Sequence, residues 1–264
     1  MGLFNKLFGK QENKEESLKV GTQNITPQGI TDVEFKMPDS TEQMRKINLR
    51  KETLNKVCLT KEPLNNLTAR VVVALDYSGS MRSLYKNGAV QDVLNRLLPL
   101  GLKFDDNGEV ELHLFSNKSW QIPSLNINNF YNYINKNKIL KKYEMGGTNY
   151  APVMESIIKE HSSHKDKVPT FVIFITDGDA WDKPKSEKVI KDASKLGIFW
   201  QFVGIGYEDF DFLEKLDDMT GRVVDNADFL NVNKIANLSD EELYAKLLGE
   251  FPNWIQAAKN KNII

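Results

Sequence analysis

The sequence is poor in cysteine, with Cys58 as the single thiol among 264 residues, so it can form no disulfide within the chain. Extracellular domains often depend on such bonds, and a lone thiol fits a reducing compartment. Cys58 stands in a helix-like stretch with no histidine close to it, which favours a buried structural thiol over a reactive one. We therefore expect a cytoplasmic protein.

Long hydrophobic runs are also missing. No apolar stretch is long enough to cross a bilayer, and the first residues lack the apolar core and cleavage site of a secretion signal. Residues 1–24 are interpreted as a short amphipathic segment followed by a flexible linker. The segment is too short to bind a bilayer well, so we expect no membrane contact from it.

Neither sign of charge is in excess. The 35 Lys and Arg residues face 36 Asp and Glu residues, which gives a formal net charge of −1. This balance supplies no electrostatic reason to expect nucleic acid as a partner. Length and pattern predict an N-terminal extension over residues 25–66 that packs on a main domain over residues 67–264.

Helix-like and strand-like stretches alternate through most of residues 67–250. Two apolar, β-branched runs at 71–75 and 171–175 are typical of strands buried on both faces. The alternation predicts an α/β fold, with a doubly wound, mostly parallel six-stranded sheet, helices on both faces and one antiparallel edge strand. Pro99 is expected to end or kink a helix, and residues 223–224 to form a short strand.

Oxygen-bearing side chains follow both buried strands. Asp76, Ser78 and Ser80 come directly after the first strand, and Asp177 comes directly after the second. Thr148 stands in a third polar loop, behind a Gly-Gly pair. Ligands bind past the carboxyl ends of strands in sheets of this kind. Carboxylate and hydroxyl oxygens suit Mg²⁺, Mn²⁺ or Ca²⁺ rather than zinc or copper.

This three-part arrangement resembles the metal-ion-dependent adhesion site of von Willebrand factor A (VWA) domains, which have a Rossmann-like fold. In that family, an Asp-x-Ser-x-Ser loop, a Thr and an Asp from two further loops hold one divalent ion. The resemblance implies that Ser78 and Ser80 bind the ion directly and that Thr148 binds it directly or through water. It implies that Asp76 and Asp177 act mainly through water or hydrogen bonds.

The same resemblance implies a non-enzymatic module. Such a module captures an Asp or Glu carboxylate of a protein partner through a bound Mg²⁺, or through Mn²⁺ or Ca²⁺. The residues expected on the partner surface are Tyr77, Met81, Asn149, Asp179 and Trp181.

A narrower resemblance, to the TerF-type proteins of tellurium resistance, lies in the second half of the chain. The stretches that carry it are 147–154, 199–206, 212–219, 221–227 and 247–254. It implies a bacterial stress-response protein of the cytoplasm, with other proteins of that system as partners. A single thiol offers little soft-ligand chemistry, so no direct contact with tellurite is expected.

Other interpretations of these residues stay open. A Mg²⁺-dependent aspartyl phosphatase or phosphotransferase would use Asp76 as its nucleophile, although Ser78 stands where such enzymes usually have a second Asp. Asp179 and Asp182, near Asp177, would form a second cation site or cap the following helix, and capping is favoured. The polar residues after each strand would otherwise serve only as turns and caps.

Histidine is scarce, with three residues in the chain. His161 and His164 lie three positions apart near the end of a predicted helix. A surface pair is favoured over a metal site, because no third nitrogen or sulfur ligand is near them in sequence. His113 has no assigned role.

Overall fold

The structure is a computed structural model that describes residues 39–162, 166–206, 208–232 and 235–264. The predicted amphipathic segment and linker over residues 1–24 lie outside the described residues. The same holds for residues 25–38 of the predicted extension and for His164.

The described residues contain a six-stranded sheet with the spatial order β3-β2-β1-β4-β5-β6. Neighbouring strands pair in parallel, except β2 and β3, which pair antiparallel and leave β3 at an edge. The predicted sheet with one antiparallel edge strand is therefore confirmed. The strands are β1 Arg70–Asp76, β2 Val110–Phe115, β3 Ser119–Leu125, β4 Thr170–Thr176, β5 Ile198–Ile205 and β6 Ala227–Val232.

Helices separate most of the strands. None of the helices formed by the described residues is both long and apolar enough to cross a membrane. They are α1 Ser40–Leu59, α2 Arg82–Lys86, α3 Ala89–Phe104, α4 Tyr133–Lys136, α5 Ile139–Lys142, α6 Ala151–His161, α7 Lys183–Ala193, α8 Asp211–Asp218, α9 Asp240–Leu247 and α10 Phe251–Asn260.

Side chains of the central strands alternate between two apolar cores, one on each face of the sheet. In β1, Val71, Val73 and Leu75 enter the core that α1, α3, α9 and α10 cover. Val72 and Ala74 enter the core under α6, α7 and α8. Because both faces are buried, the strand has a continuous apolar sequence instead of an alternating one.

Helix α1 begins at Ser40 because Asp39 caps it. The Asp39 carboxylate accepts hydrogen bonds from the backbone of Thr41 at 2.8 Å and Glu42 at 2.9 Å. The helix packs on α3 and α9. Cys58 lies buried in its last turn, as the sequence predicted.

Two local predictions differ from the structure. Helix α3 continues through Pro99 to Phe104. Proline cannot donate a backbone hydrogen bond, but burial of the apolar side of the helix compensates for that loss. Residues 223–224 form no strand, and the backbone N–H of Val223 donates instead to Ser194 Oγ at 2.9 Å. The strand in this region is β6, an edge strand whose half-buried residues make its sequence pattern weak.

Candidate functional site

Asp76 is the last residue of β1, and its side chain is fully buried. Oδ1 accepts a hydrogen bond from the Ser78 backbone at 2.7 Å, and Oδ2 accepts one from Thr176 Oγ1 at 2.7 Å. Burial raises the pKa of Asp76 to about 6, although the hydrogen bonds from Thr176 and Ser78 act to lower it. The carboxylate thus joins the loop after β1 to the end of β4.

Three further oxygens form a contact chain at the same edge of the sheet. Ser78 Oγ lies 3.0 Å from Ser80 Oγ, and Ser80 Oγ donates to Asp177 Oδ1 at 2.8 Å. Asp177 follows β4, which pairs in parallel with β1, so both strands deliver their carboxylates to one edge. Partial burial raises the pKa of Asp177, and the hydrogen bond from Ser80 opposes that rise.

The Gly-Gly-Thr loop lies against both of these loops. The backbone N–H of Gly79 donates to the Gly146 carbonyl at 3.0 Å, and the Thr148 carbonyl accepts from the Trp181 backbone at 2.8 Å. Thr148 is buried, at 8% exposure. The structure therefore places Thr148 in the same cleft as Ser78, Ser80 and Asp177.

Several supporting residues were missed from the sequence. Thr176 holds Asp76, as described above. Asn117 accepts a hydrogen bond from the backbone of Gly147. Asp182 accepts hydrogen bonds from the backbone of Tyr150 at 2.9 Å and of Ala151 at 3.0 Å, so it caps α6 across the cleft. The favoured prediction that its side chain caps the following helix, α7, is therefore wrong. Each partner is distant in sequence, and no local pattern could have indicated these contacts.

The expected partner surface is wrong for two residues. Tyr77 and Met81 are each only 1% exposed. The Tyr77 hydroxyl donates to the Ile139 carbonyl at 3.1 Å, and its ring packs edge-on against Tyr85. Both side chains point inward because they fill the core beneath the loop, so they present no surface to a partner.

The other three expected surface residues reach solvent. Trp181 is 72% exposed, and Asn149 and Asp179 are half-buried. The Trp181 indole lies so close over Gly147 that a Cβ at that position would stand 2.2 Å from the ring. Gly147 is therefore needed for the indole to cover the loop. Asp179 pairs with Lys183.

The donor set fits a small hard cation. Oxygens bound to Mg²⁺ at adjacent octahedral positions lie about 3 Å apart, because the metal–oxygen bonds are about 2.0–2.1 Å. The Ser78–Ser80 oxygen separation of 3.0 Å matches that spacing, and Asp177 accepts a hydrogen bond from Ser80 Oγ at 2.8 Å. All the donors are oxygens, which hard cations prefer.

Comparisons with known proteins give the family. The vWA-TerF-like family, described as "vWA found in TerF C terminus", matches residues 68–264. The uncharacterized protein YcbR of Bacillus subtilis (strain 168) is 40% identical over 225 residues, which cover 84% of this chain and 91% of YcbR. The chain therefore belongs to the VWA domain proteins of the TerF-like type. Domains of this type are generally non-enzymatic modules for protein–protein interaction.

Solved structures share the fold. The manganese-loaded TRAP protein of Plasmodium vivax matches with a TM-score of 0.50 and 18% identity, over 71% of this chain and 74% of that one. The SpRpn10 VWA domain matches with a TM-score of 0.51 and 11% identity, over 67% and 94%. The match covers only 45% and 48% of the lengths of two other structurally similar chains. The VWA, Rossmann-like fold is thus confirmed.

Proposed function

We propose that this chain is a non-enzymatic protein-binding module that captures an Asp or Glu carboxylate of a protein partner through a divalent cation. The expected ion is Mg²⁺, with Mn²⁺ or Ca²⁺ as alternatives. The observation that carries the proposal is the contact chain of Ser78, Ser80 and Asp177 oxygens, at 3.0 and 2.8 Å, beside Thr148. Membership of the VWA proteins supports it, as does the manganese-loaded form of the related TRAP fold.

The residues divide into two groups in this proposal. Ser78, Ser80 and Thr148 would hold the ion through their hydroxyl oxygens. Asp177 would accept a hydrogen bond from the Ser80 hydroxyl, Asp76 would hold the loop through the Ser78 backbone N–H, and both would accept hydrogen bonds from bound water. In this arrangement all three direct protein ligands are neutral hydroxyls, so a partner carboxylate can supply the charged ligand that binds the ion directly.

The rim of the cleft offers a further contact. Trp181 is exposed beside Thr148, where its indole can pack on apolar parts of a partner. Asn149 and Asp179 lie half-buried at the same rim and are proposed as polar contacts.

The phosphatase alternative has weaker support. Asp76 is fully buried, and both of its carboxylate oxygens already accept hydrogen bonds from neighbouring residues. A nucleophile needs an oxygen directed at the entering phosphoryl group. The buried position therefore favours a supporting role for Asp76 over a covalent one.

The cellular setting belongs to the same proposal. The TerF-like family supports a bacterial stress or tellurium-resistance system, with other proteins of that system as partners. The near-neutral charge gives no support for nucleic acid as a partner, and the single cysteine fits the cytoplasm.

Metal titration of the full chain tests the proposal. We expect calorimetry to detect Mg²⁺, Mn²⁺ or Ca²⁺ binding, and the Ser80→Ala variant to bind at least about tenfold more weakly. Ser83→Ala is the matched control, because Ser83 is an exposed hydroxyl on α2, close in sequence to Ser80. Immobilised peptides with a free Glu should then retain the metal-loaded wild type and release it with EDTA. Equal binding by Ser80→Ala, or phosphatase activity lost in Asp76→Asn, would contradict the proposal.

A further inference from the structure

A second polar cluster lies on the face of the sheet that α6 covers. Glu111 and His113 stand two residues apart on β2, so their side chains point to the same face. Phe115, two residues further on, packs in the core beneath α6. Glu160 and His161 are the last two residues of α6, and that helix packs across β2. The proposed cation site uses none of these four polar side chains.

Three of the four side chains meet closely, and the fourth, His161, contacts one of them. One ligand atom each from Glu111, His113 and Glu160 lies within 4.8 Å of the others. His113 Nε2 is 3.7 Å from Glu160 Oε2, and His161 Nε2 is 3.3 Å from Glu111 Oε2. His161 is only 6% exposed, so the predicted surface position of this histidine is wrong. The side chains that meet His161 and Glu160 belong to β2, which is distant in sequence and is brought near to them only by folding.

His113 carries the argument, because its ring is fully buried. Among the described residues, neither of its ring nitrogens has a hydrogen-bond partner. A buried polar side chain in this state is rare, and a bound group that satisfies it would stabilise the fold.

We propose that Glu111, His113 and Glu160 bind one first-row transition-metal ion, with Zn²⁺ the favoured occupant, and that His161 orients Glu111. One imidazole nitrogen and two carboxylate oxygens can fill three of the four tetrahedral positions of Zn²⁺. Mg²⁺ and Ca²⁺ prefer oxygen donors alone, so the two proposed sites select different ions. Three protein donors leave one position for water, and because they come from both elements the ion joins the end of α6 to β2.

The surroundings support this assignment. Gln121 donates to Glu160 Oε1 at 2.7 Å, and Glu160 Oε2 lies 3.7 Å from His113 Nε2. Such outer hydrogen bonds commonly orient metal ligands. The Glu111 and Glu160 side chains are 26% and 36% exposed, so an ion can enter from solvent. Their two negative charges balance a divalent cation.

The test is a Zn²⁺ titration of the metal-free full chain in excess Mg²⁺, which is present to fill the other site. We expect one equivalent to bind with a dissociation constant at or below about 1 μM, and the melting temperature to rise. Co²⁺ should give the absorption spectrum of a tetrahedral nitrogen–oxygen site. The Glu111→Gln/Glu160→Gln variant should bind at least about 100-fold more weakly. These carboxylates are chosen because removing the buried His113 could prevent folding.

Two controls separate this site from others. Glu155→Gln changes a carboxylate of α6 that pairs with Lys185 at 2.9 Å outside the cluster, and it should bind Zn²⁺ as the wild type does. Ser80→Ala should lose Mg²⁺ binding and keep Zn²⁺ binding, so the failure of one proposal is distinguishable from the failure of the other. The inference is overturned if wild type binds no Zn²⁺. It is also overturned if the Glu111→Gln/Glu160→Gln variant binds as tightly as wild type.

Discussion

At the scale of single residues, Asp76 shows a conflict between folding and binding. The carboxylate is fully buried, and burial disfavours its ionised form. In the proposed function, a cation beside the contact chain compensates that charge. The metal-free chain therefore carries a destabilising charge that the bound ion would relieve.

The Asp76→Asn variant tests this conflict. Asparagine keeps the shape and an oxygen acceptor for the Ser78 backbone but removes the charge. At about pH 8 in EDTA, we expect the variant to melt at the same temperature as the wild type or a few °C higher. We expect its Mg²⁺ affinity to fall at least about tenfold, because a supporting carboxylate is lost. Thermal unfolding with and without Mg²⁺, together with calorimetry, gives both quantities.

Asp179→Asn is the matched control for that variant. Asp179 lies two residues after Asp177 in the loop that follows β4, but it pairs with Lys183, outside the contact chain. It should leave Mg²⁺ affinity unchanged. A lower melting temperature of Asp76→Asn together with wild-type Mg²⁺ affinity would mean that the carboxylate serves folding alone.

The sequence could indicate the donors of the site but not their supports. Asp76, Ser78 and Asp177 each follow directly on an apolar run, so their place at the sheet edge could be predicted. Asn117 and Asp182 could not be predicted as supports, because each holds a loop that is distant in sequence. Which side chains of a loop face inward depends on the core beneath it, and this is why Tyr77 was misplaced.

At the scale of elements, a buried arginine holds α9 against α3. Arg96 in α3 is 4% exposed, and its guanidinium donates to Asp240 Oδ1 at 2.7 Å. It also donates to the carbonyls of Ile235 at 2.6 Å and Leu238 at 2.8 Å. Arg50 of α1 reaches the other oxygen of Asp240 at 3.2 Å. The network thus joins three helices on one face of the sheet.

Replacing Arg96 with methionine should destabilise this face. Methionine keeps much of the apolar stem but leaves two carbonyls and part of Asp240 without their donor. We expect the free energy of unfolding to fall by about 2–4 kcal/mol, measured by urea denaturation. Lys188→Met, which breaks the exposed pair with Asp192, should change it by less than about 0.5 kcal/mol. If the two variants lost equal stability, the network would be no stronger than a surface ion pair.

The sequence correctly indicated the strands that are buried on both faces. It did not indicate the half-buried edge strand β6. Strands β1 and β4 are buried on both faces, so their apolar runs are unambiguous. Strand β6 lies at an edge with mostly half-buried side chains, and its residues carry little periodic signal. The helical path through Pro99 depends on packing that no local pattern contains.

At the scale of the whole molecule, acidic side chains from three regions couple stability to pH. Asp217 of α8, Asp228 of β6 and Glu250 before α10 bring their carboxylate oxygens within 4.8 Å of one another. Burial, followed by the charges of Asp228 and Glu250, raises the pKa of Asp217 to about 7. Burial also raises the pKa values of Asp228 and Glu250. The folded chain therefore holds protons that the unfolded chain would release.

The sign of the resulting pH dependence follows from linkage. The pKa of an Asp in an unfolded chain is about 3.9, below the folded value of Asp217. Its contribution to stability is complete below about pH 4 and is lost as the pH rises through about 7. Asp217→Asn cannot ionise, so we expect it to melt a few °C above the wild type at about pH 8. The two should melt at similar temperatures only at about pH 4 and below.

The comparison between variants isolates this carboxyl from others that titrate in the same range. Thermal unfolding from about pH 5 to 8 should give a smaller loss of melting temperature for Asp217→Asn than for the wild type. Asp218→Asn, an exposed neighbour on the same helix, should keep the wild-type slope. Parallel curves for all three proteins would mean that the unfolded chain binds as many protons here as the folded one. The repulsion between the three regions would then be relieved by some rearrangement of the side chains, and the acidic cluster would place no limit on stability near neutral pH.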